Sequence, residues 1–340
     1  MRAMVLPQWG APLRMEEVPT PRPGRGEALI RVRACAPDQF DVTIRAGRAG
    51  GSLPLILGHE IAGEVADLGP EAGAFRVGDR VIVFPYLTCG ACRFCLVGRD
   101  TLCLAFRGYI GVHAPGGYAE YVAVPVANLC RIPPEIPFPE ATALVSPIPT
   151  PLKALRDRAQ LRPLEDVLIV GAAGGVGIHA VQIARALGAR VLGVDLGEAK
   201  MAAALEAGAE AVIDGARGPF DQEVRRLTDG KGADVVLEYV GTPATLSASY
   251  ASLSRAGRLV VQAFQPGTVF ACDPTRFVND EIVVTGSRYI NRRDLQDAVE
   301  LVRRRLVRPM VGQTFPLDEA ETVLGLLARN ELTGRAPLIP

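Results

Sequence analysis

The sequence predicts an α/β protein in which a mostly β region precedes a doubly wound parallel sheet. Three observations lead to this prediction. Short β-type runs recur between Gly and Pro turn signals up to about residue 147. From about residue 164, apolar runs alternate with helical stretches, as parallel strands and their crossover connections require. A cluster of glycines stands where the first of these runs meets the first helix.

The composition is that of a globular protein of about two domains. The chain has 340 residues, of which 49% are hydrophobic and 22% are charged, so it can bury a large core. Lys plus Arg and Asp plus Glu number 37 each, and the formal net charge is zero. No general cationic field exists to attract nucleic acid or anionic lipid, so we expect a small-molecule substrate.

Targeting signals are not evident. The N-terminus lacks a basic start followed by an apolar core, and no stretch reaches 18 apolar residues, so we expect neither a secretory signal nor a membrane span. The expected location is the reducing cytoplasm. The cysteines are therefore interpreted as metal ligands or packed thiols rather than as disulfides. They stand at positions 35, 89, 92, 95, 103, 130 and 272.

In the first region, residues 1–147, the clearest strand patterns are 28–32, 63–66 and 80–83. In the second, about six strands fit the full dinucleotide-binding set. The strand patterns are 167–170, 190–194, 211–213, 234–237, 258–261 and 282–285, and the helical patterns are 176–187 and 198–207.

Beyond residue 290 the pattern becomes helical over 294–305 and 318–329. Asp318 follows Pro316-Leu317 and is predicted to cap the second of these helices. A last apolar run, 336–339, is predicted to be a strand that returns to the first domain.

The glycine cluster predicts a dinucleotide site. The strand pattern 167–170 continues into Gly171-Ala172-Ala173-Gly174-Gly175-Val176-Gly177 and then into a helix. Glycines let the backbone approach a pyrophosphate, and a helix N-terminus supplies N–H groups and the positive end of the helix dipole. Ala172 replaces a glycine of the strict pattern, a tolerable change. We expect Gly174, Gly175, Val176 and Gly177 to bind the cofactor.

The second strand of this region ends in Gly193-Val194-Asp195. A carboxylate there accepts hydrogen bonds from both ribose hydroxyls of NAD and repels the extra phosphate of NADP, so NAD is favoured. The alternative for Asp195 is a surface residue that caps the next helix. Lys200 lies one turn into that helix, where it either reaches the adenosine ribose or is simply solvated.

Four cysteines close together predict a zinc site. Cys89-x-x-Cys92-x-x-Cys95 is followed by Cys103, and four thiolates in one loop can wrap a single ion tetrahedrally. Because no coordination position stays open, the zinc would be structural. An iron–sulfur cluster and free thiols are the alternatives.

Together these motifs resemble the zinc-containing medium-chain alcohol dehydrogenases. The resemblance spans nearly the whole chain. It implies a GroES-like catalytic domain (1–147), a Rossmann domain (148–289), a C-terminal return to the catalytic domain (290–340), an active site in the cleft between domains, and a homodimer or homotetramer. Besides the glycine loop and the four cysteines, its landmarks are Cys35-Ala36-Pro37-Asp38, Gly58-His59-Glu60, Gly116-Gly117-Tyr118-Ala119-Glu120-Tyr121 and Gly193-Val194-Asp195.

The resemblance also implies a catalytic zinc. Residues matching Cys35 and His59 bind that ion in the family, and the one matching Asp38 orients the histidine. Many members take a third ligand from the segment 144–150, where this chain has Ser146, a poor zinc ligand. Polyol-dehydrogenase-like members instead use the Glu after the histidine, here Glu60. The resemblance therefore implies a Cys35, His59, Glu60 and water site.

Two further departures concern proton transfer. Pro37 replaces the hydroxyl residue that carries the alcohol proton in the family, and Phe40 replaces a frequent histidine. A zinc-bound water, Glu60 or a tyrosine such as Tyr86 would have to take over that role.

Three functional hypotheses follow. The leading one is an NAD-dependent zinc alcohol or polyol dehydrogenase, in which zinc acts as a Lewis acid on the bound hydroxyl. The second is an enoyl reductase similar to acryloyl-CoA and quinone reductases, with structural zinc only; the glycine loop and the departures at Pro37 and Phe40 favour it. The third is a non-catalytic dinucleotide-binding protein.

Overall fold

The structure is a computed structural model that describes residues 1–265 and 267–340. The chain divides into two compact units. Unit 1 comprises Met1–Ser146, Ile290–Arg303 and Pro309–Pro340, and unit 2 comprises Pro147–Tyr289 and Arg304–Arg308. Residues 304–308 thus group with unit 2, whereas the sequence predicted one unbroken return from 290. Within the described residues, no helix is both long enough and apolar enough to cross a membrane.

The N-terminal part of unit 1 is mostly β. Its strands are β1 (Arg2–Leu6), β2 (Arg14–Glu17), β3 (Glu27–Ala36), β4 (Leu55–Ile56), β5 (Glu60–Leu68), β6 (Arg80–Val83), β7 (Tyr121–Pro125) and β8 (Leu129–Arg131). Its helices are α1 (Gln39–Arg45) and the single turn α2 (Phe138–Ala141). The longest pairing joins β3 and β5 antiparallel, and it places Ala36 opposite Glu60. The end of β3 and the start of β5 therefore meet at one place.

Unit 2 is a parallel sheet with helices between its strands. The strands are β9 (Asp166–Val170), β10 (Arg190–Asp195), β11 (Ala211–Asp214), β12 (Ala233–Glu238), β13 (Leu253–Val261) and β14 (Val283–Gly286). The helices are α3 (Pro149–Lys153), α4 (Gly177–Ala186), α5 (Glu198–Glu206), α6 (Asp221–Leu227), α7 (Pro243–Ala251) and α8 (Pro274–Asn279). The sheet order is β11-β10-β9-β12-β13-β14, all parallel.

That strand order explains where a ligand can bind in unit 2. Strand β9 is buried along its whole length and lies between β10 and β12. From β9 the chain first builds outward to β10 and β11, and then restarts on the other side with β12. Ligands of open parallel sheets bind beyond the carboxyl ends of the strands where the order reverses. The glycine loop follows β9, directly at this point.

The C-terminal segment rejoins unit 1. It contributes α9 (Arg292–Arg303), β15 (Phe315–Pro316), α10 (Ala320–Ala328) and β16 (Leu338–Ile339). Strand β16 pairs antiparallel with β3, with Leu338 opposite Cys35. Helix α10 buries Val323 and Leu324 in the same core as Ile30 and Ile61. The predicted return of 336–339 to the first domain thus appears as a strand of its main sheet.

The α/β fold class is confirmed, but the prediction for Asp318 is wrong. The chain leaves β15 at Pro316 and first makes a 3₁₀ turn over Leu317–Glu319, so α10 begins only at Ala320. Its N-cap is Glu319, without a side-chain hydrogen bond. Asp318 lies inside this 3₁₀ turn, whereas an N-cap residue stands before the first turn in a non-helical conformation, so it cannot cap α10.

The burial of strand β9 leads to a testable prediction about stability. Leu168 is completely buried at the centre of the sheet, whereas Leu164 just before it is 91% exposed. We expect Leu168→Ala to lower the free energy of unfolding of unit 2 by about 3 kcal/mol, because it removes buried methyl groups and leaves a cavity. Leu164→Ala, the matched control, should change it by less than about 0.5 kcal/mol. Urea titrations followed by circular dichroism measure both, and equal effects would contradict the central position of β9.

Candidate functional site

The glycine loop of unit 2 forms a tight turn into α4. The amide groups of Gly171 and Ala172 donate to the carbonyl of Val194, so the loop is tied to β10. A Cβ on Gly177 would lie 1.9 Å from the carbonyl oxygen of Gly171, so only glycine fits there. A Cβ on Gly174 would meet nothing nearer than 3.4 Å. In the described chain no side chain caps α4, which fits a helix N-terminus that receives a phosphate.

Asp195 is anchored to this loop. The amide of Ala173 donates to its Oδ2 at 2.7 Å, and the amide of Leu196 donates to its Oδ1 at 2.8 Å. Each carboxylate oxygen has a second lone pair, so these bonds orient the group without exhausting its acceptor capacity. Lys200 lies in the first turn of α5 and is half-buried. Asp195, Gly174, Gly175, Val176 and Gly177 all stand at the carboxyl edge of β9 and β10.

The four predicted thiols of unit 1 come together. The sulfurs of Cys89, Cys92, Cys95 and Cys103 all lie within 4.8 Å of one another. The Cys89–Cys103, Cys92–Cys95 and Cys89–Cys95 distances are 3.5, 3.6 and 4.0 Å. Four sulfurs about 2.3 Å from one tetrahedral zinc would be about 3.8 Å apart. The donor set therefore fits zinc, and the site needs little rearrangement to bind it.

Backbone amides prepare these thiols for a cation. The amide of Cys95 and other backbone N–H groups lower the pKa of Cys92 to about 6. The amides of Ala91 and Cys92 lower the pKa of Cys89 as well. Metals bind the thiolate rather than the thiol, so the turn favours the ligating form of Cys89 and Cys92, whereas burial and the neighbouring thiols raise the pKa of Cys95 to about 12.

A second group of metal-compatible side chains surrounds His59. Asp38, His59 and Glu60 each offer a ligand atom, and these atoms lie within 4.8 Å of one another. Asp38 caps α1, and its Oδ1 accepts from the amides of Phe40 and Asp41. His59 and Glu60 stand at the start of β5.

Cys35, predicted to be a ligand, lies beside this group, since the charges of Asp41, Glu60 and Asp38 all act on its thiol, although its sulfur is not among the atoms that lie within 4.8 Å of one another. It is completely buried in β3. A Cβ on Gly58 would lie 2.8 Å from its sulfur and a Cβ on Gly117 would lie 2.9 Å away, so the thiol occupies space left by two glycines. Burial, with Asp41 and Glu60 nearby, raises the pKa of Cys35. Ser146, in the segment expected to hold a third ligand, is also buried.

His59 lies between two carboxylates. Its Nε2 is 3.5 Å from Oδ2 of Asp38, and its Nδ1 is 3.5 Å from Oδ1 of Asp41. Burial disfavours the charged imidazole, but the two carboxylates prevail and raise the pKa of His59. The hydroxyl of Tyr118 donates to Oδ2 of Asp41 at 2.9 Å. Sequence reasoning missed the role of Asp41, although Tyr118 was part of a recognised landmark.

Arg335 closes the group on the other side. Its Nη2 and Nε donate to the two oxygens of Glu60 at 2.7 and 2.9 Å, and its Nη2 is 3.8 Å from Oδ2 of Asp38. Burial raises the pKa of Glu60 to about 7, although Arg335 opposes the shift. No spacing signal in the sequence connects positions 60 and 335, and sequence reasoning missed this contact too.

The donor chemistry around His59 fits a metal. Imidazole nitrogen and carboxylate oxygens are ligands that zinc accepts. Because Arg335 donates to both oxygens of Glu60, direct ligation by Glu60 would use an oxygen that already accepts a hydrogen bond from Arg335. Asp38 has no direct hydrogen bond to Arg335, whose Nη2 is 3.8 Å from its Oδ2, whereas Glu60 accepts two hydrogen bonds from that residue.

Comparison with known proteins decides the family. Residues 24–134 match the alcohol dehydrogenase GroES-like domain, and residues 175–304 match the zinc-binding dehydrogenase model. A protein of Sulfurisphaera tokodaii named NAD-dependent alcohol dehydrogenase is 35% identical, with both chains fully covered. The chain belongs to the zinc-containing medium-chain dehydrogenase/reductase superfamily. The resemblance stated from the motifs is thereby confirmed, and this dehydrogenase/reductase is an oxidoreductase.

Other relatives of this dehydrogenase/reductase carry a different name. A protein of Metallosphaera sedula named acryloyl-coenzyme A reductase is 34% identical, with 99% of each chain covered. The solved structure of AibC is 39% identical, with a TM-score of 0.93, and the match covers all of this chain and 96% of that one.

The thiol group makes a prediction about metal content. We expect Cys103→Ser to lower the zinc content of the dehydrogenase/reductase by one ion per chain, because a hydroxyl is a far poorer ligand than a thiolate. Cys130→Ser is the matched control, since Cys130 stands outside the group, and it should leave the zinc content unchanged. Mass spectrometry of metal in protein purified without added zinc measures both. Equal zinc in all three proteins would show that the four thiols do not hold the ion.

Proposed function

We propose that the protein is an NAD-dependent alcohol dehydrogenase that interconverts an alcohol and its aldehyde or ketone by hydride transfer. The observation that carries this proposal is the glycine loop at the reversal point of a parallel sheet, with Asp195 anchored beside it. The full-length likeness to the NAD-dependent alcohol dehydrogenase of Sulfurisphaera tokodaii supports the same activity.

The proposed zinc sites have different roles. Cys89, Cys92, Cys95 and Cys103 would hold a structural zinc, since four protein ligands leave no position open for substrate. Cys35, His59 and Glu60 would hold a catalytic zinc. When bound, that ion supplies Lewis acidity, which lowers the pKa of an alcohol hydroxyl and favours departure of the hydride.

The chain's own residues prepare the second site. Asp38 and Asp41 flank both ring nitrogens of His59, and Tyr118 in turn holds Asp41. Such outer partners fix the orientation of a ligating imidazole. Phe40 packs edge-on against His59, with 5.8 Å between ring centroids, so it adds an apolar wall beside the imidazole. The proton relay of the family therefore has no counterpart at positions 37 and 40.

The second candidate function is an enoyl reductase that uses structural zinc only. The observation that favours it is the double hydrogen bond from Arg335 to Glu60, which competes with a metal for that carboxylate. The poor zinc ligand Ser146 also favours this function, as do Pro37 and Phe40, which replace residues of the family's proton relay. The relative of Metallosphaera sedula named acryloyl-coenzyme A reductase supports it as well.

Two finer features belong to the same proposal. We infer a homodimer or homotetramer, as is usual for the family. We also infer a cytoplasmic location, because four thiols gathered around one metal position suit a reducing compartment.

Turnover and metal content together test the activity. We expect the purified protein to reduce NAD with primary or secondary alcohols and to contain two zinc ions per chain. His59→Ala should retain one zinc and lose more than about 100-fold in turnover, because even losing an orienting partner of a metal ligand costs 10–100-fold. His113→Ala, at an exposed histidine of the same unit, is the control. One zinc per chain with NADH-dependent reduction of acryloyl-CoA, but no alcohol oxidation, would replace the proposal with the enoyl reductase.

The cofactor preference makes a separate prediction. We expect Asp195→Asn to raise the Kd of NADH about tenfold and to narrow the preference for NADH over NADPH, because the amide forms weaker bonds to ribose hydroxyls and does not repel a phosphate. The single oxygen of asparagine can keep the hydrogen bond from the amide of Ala173 but not also the one from Leu196, so circular dichroism of the variant should first establish that it is folded. Asp214→Asn is the control, since Asp214 lies directly opposite Asp195 on β11. Fluorescence titration measures each Kd, and an unchanged NADH/NADPH ratio would refute the role of Asp195.

A further inference from the structure

The first turn of helix α4 contains a buried histidine. His179 is 0% exposed, and the other buried residues of this helix are apolar or glycine. An imidazole is costly to bury unless it forms hydrogen bonds. Nδ1 of His179 is 2.8 Å from the carbonyl oxygen of Gly175, one turn earlier in the chain. Because a carbonyl oxygen can only accept, Nδ1 carries the proton and donates this bond.

The bond from His179 takes the place of a backbone bond that the helix does not make. In a regular α-helix the amide of residue 179 would donate to the carbonyl of residue 175. Here it donates to the carbonyl of Val176 at 3.2 Å, which also accepts from the amide of Ala180 at 3.0 Å. Within residues 1–265 and 267–340, no backbone amide donates to the carbonyl of Gly175. The imidazole therefore satisfies this carbonyl.

This bond fixes the orientation of one peptide group. The peptide between Gly175 and Val176 is trans, since the cis bond of the described chain joins Leu53 and Pro54. The C=O and N–H of a trans peptide point in opposite directions. With the carbonyl held toward His179 and the body of α4, the N–H of Val176 points outward at the N-terminus of the helix. Hydrogen bonding at the carbonyl also polarises the peptide, which makes that N–H a stronger donor.

The turn before α4 presents several N–H groups to a ligand. The amides of Gly175, Val176 and Gly177 donate to no acceptor in the part of the chain that the structure describes. Gly175 and Val176 are partly exposed, so a ligand can reach them. Adjacent N–H groups at the positive end of a helix dipole favour an anion. The loop follows β9 at the reversal point of the sheet, where a dinucleotide places its pyrophosphate.

We propose that His179 is a positioning residue for the cofactor, because it holds the carbonyl of Gly175 so that the amide of Val176 points at the pyrophosphate. This inference rests on the proposed function, since it requires a dinucleotide in the glycine loop. The completely buried imidazole stands behind the loop and acts through the peptide in front of it. Its effect is therefore on the affinity for the pyrophosphate and not on the hydride transfer.

Ligands with and without a pyrophosphate test this role. We expect His179→Leu to raise the Kd of NADH and that of ADP-ribose about tenfold each, because both molecules carry the pyrophosphate. Adenosine keeps the ribose for Asp195 but has no phosphate, so its Kd should change by less than about twofold. A residue that merely supports the fold would change the Kd of all three ligands together. Isothermal titration calorimetry measures each Kd.

His179→Asn is the conservative variant. Its Nδ2 is as many bonds from Cα as Nδ1 of histidine, so it can donate to the carbonyl of Gly175. It should bind NADH within about threefold of wild type. His179→Ala adds no bulk and should weaken NADH as much as His179→Leu does, so the role can be tested even if leucine does not fit.

Gln182→Leu is the matched control. Gln182 lies on the same helix, and its side chain forms hydrogen bonds with the backbone of Arg308 rather than with the glycine loop. This variant should bind NADH, ADP-ribose and adenosine as wild type does.

Three results would overturn this inference while leaving the proposed function intact. The first is an unchanged Kd of NADH in both His179→Leu and His179→Ala. The second is a weakening of adenosine equal to that of ADP-ribose. The third is a failure of His179→Asn to recover the binding of NADH. Failure of the wild-type protein to bind NADH would overturn the proposed function as well.

Discussion

The buried ion pair between Arg335 and Glu60 is the interaction on which the polar site of unit 1 depends. Asp41 and Glu60 are fully withdrawn from water, and Asp38 is nearly so. Carboxylates this close repel one another strongly where water cannot screen them. Arg335 supplies positive charge with two direct hydrogen bonds. Removing it would leave uncompensated buried charge, which is among the most destabilising changes known.

That constraint also explains why the chain end belongs to the first unit. Arg335 lies three residues before Leu338, which pairs with Cys35 on β3. Strand β3 also pairs with β5, and that second pairing places Glu60 at the end of β3, where Arg335 contacts it. Strand addition and charge neutralisation are therefore achieved by one short segment. In unit 2 the corresponding constraint is steric: the approach of Gly177 to the carbonyl of Gly171 permits no side chain.

Much of the fold could be predicted from local sequence patterns. The elements that could not be predicted were missed for physical reasons. The strands of unit 2 were readily located because continuous apolar runs alternate with helical ones, and β6 follows its predicted bounds. Strand β13 begins earlier than predicted, at Leu253, and the added residues contain an irregularity, where Ala256 adopts a positive φ and the register with β12 shifts. Short edge strands such as β2, exposed at every residue, carry no hydrophobic alternation and were not predicted.

For the candidate site, the sequence by itself determined those groups whose members lie close together along the chain. The four thiols lie within 15 residues and the glycine loop within seven, so local chain geometry alone brings their members together. Only the tertiary structure decided which distant groups meet. It brought Arg335 to Glu60 and Asp41 to His59, and it placed Cys35 beside the His59 group. Such contacts depend on strand register and on how buried charge is balanced, and these are properties of the whole folded chain rather than of any segment.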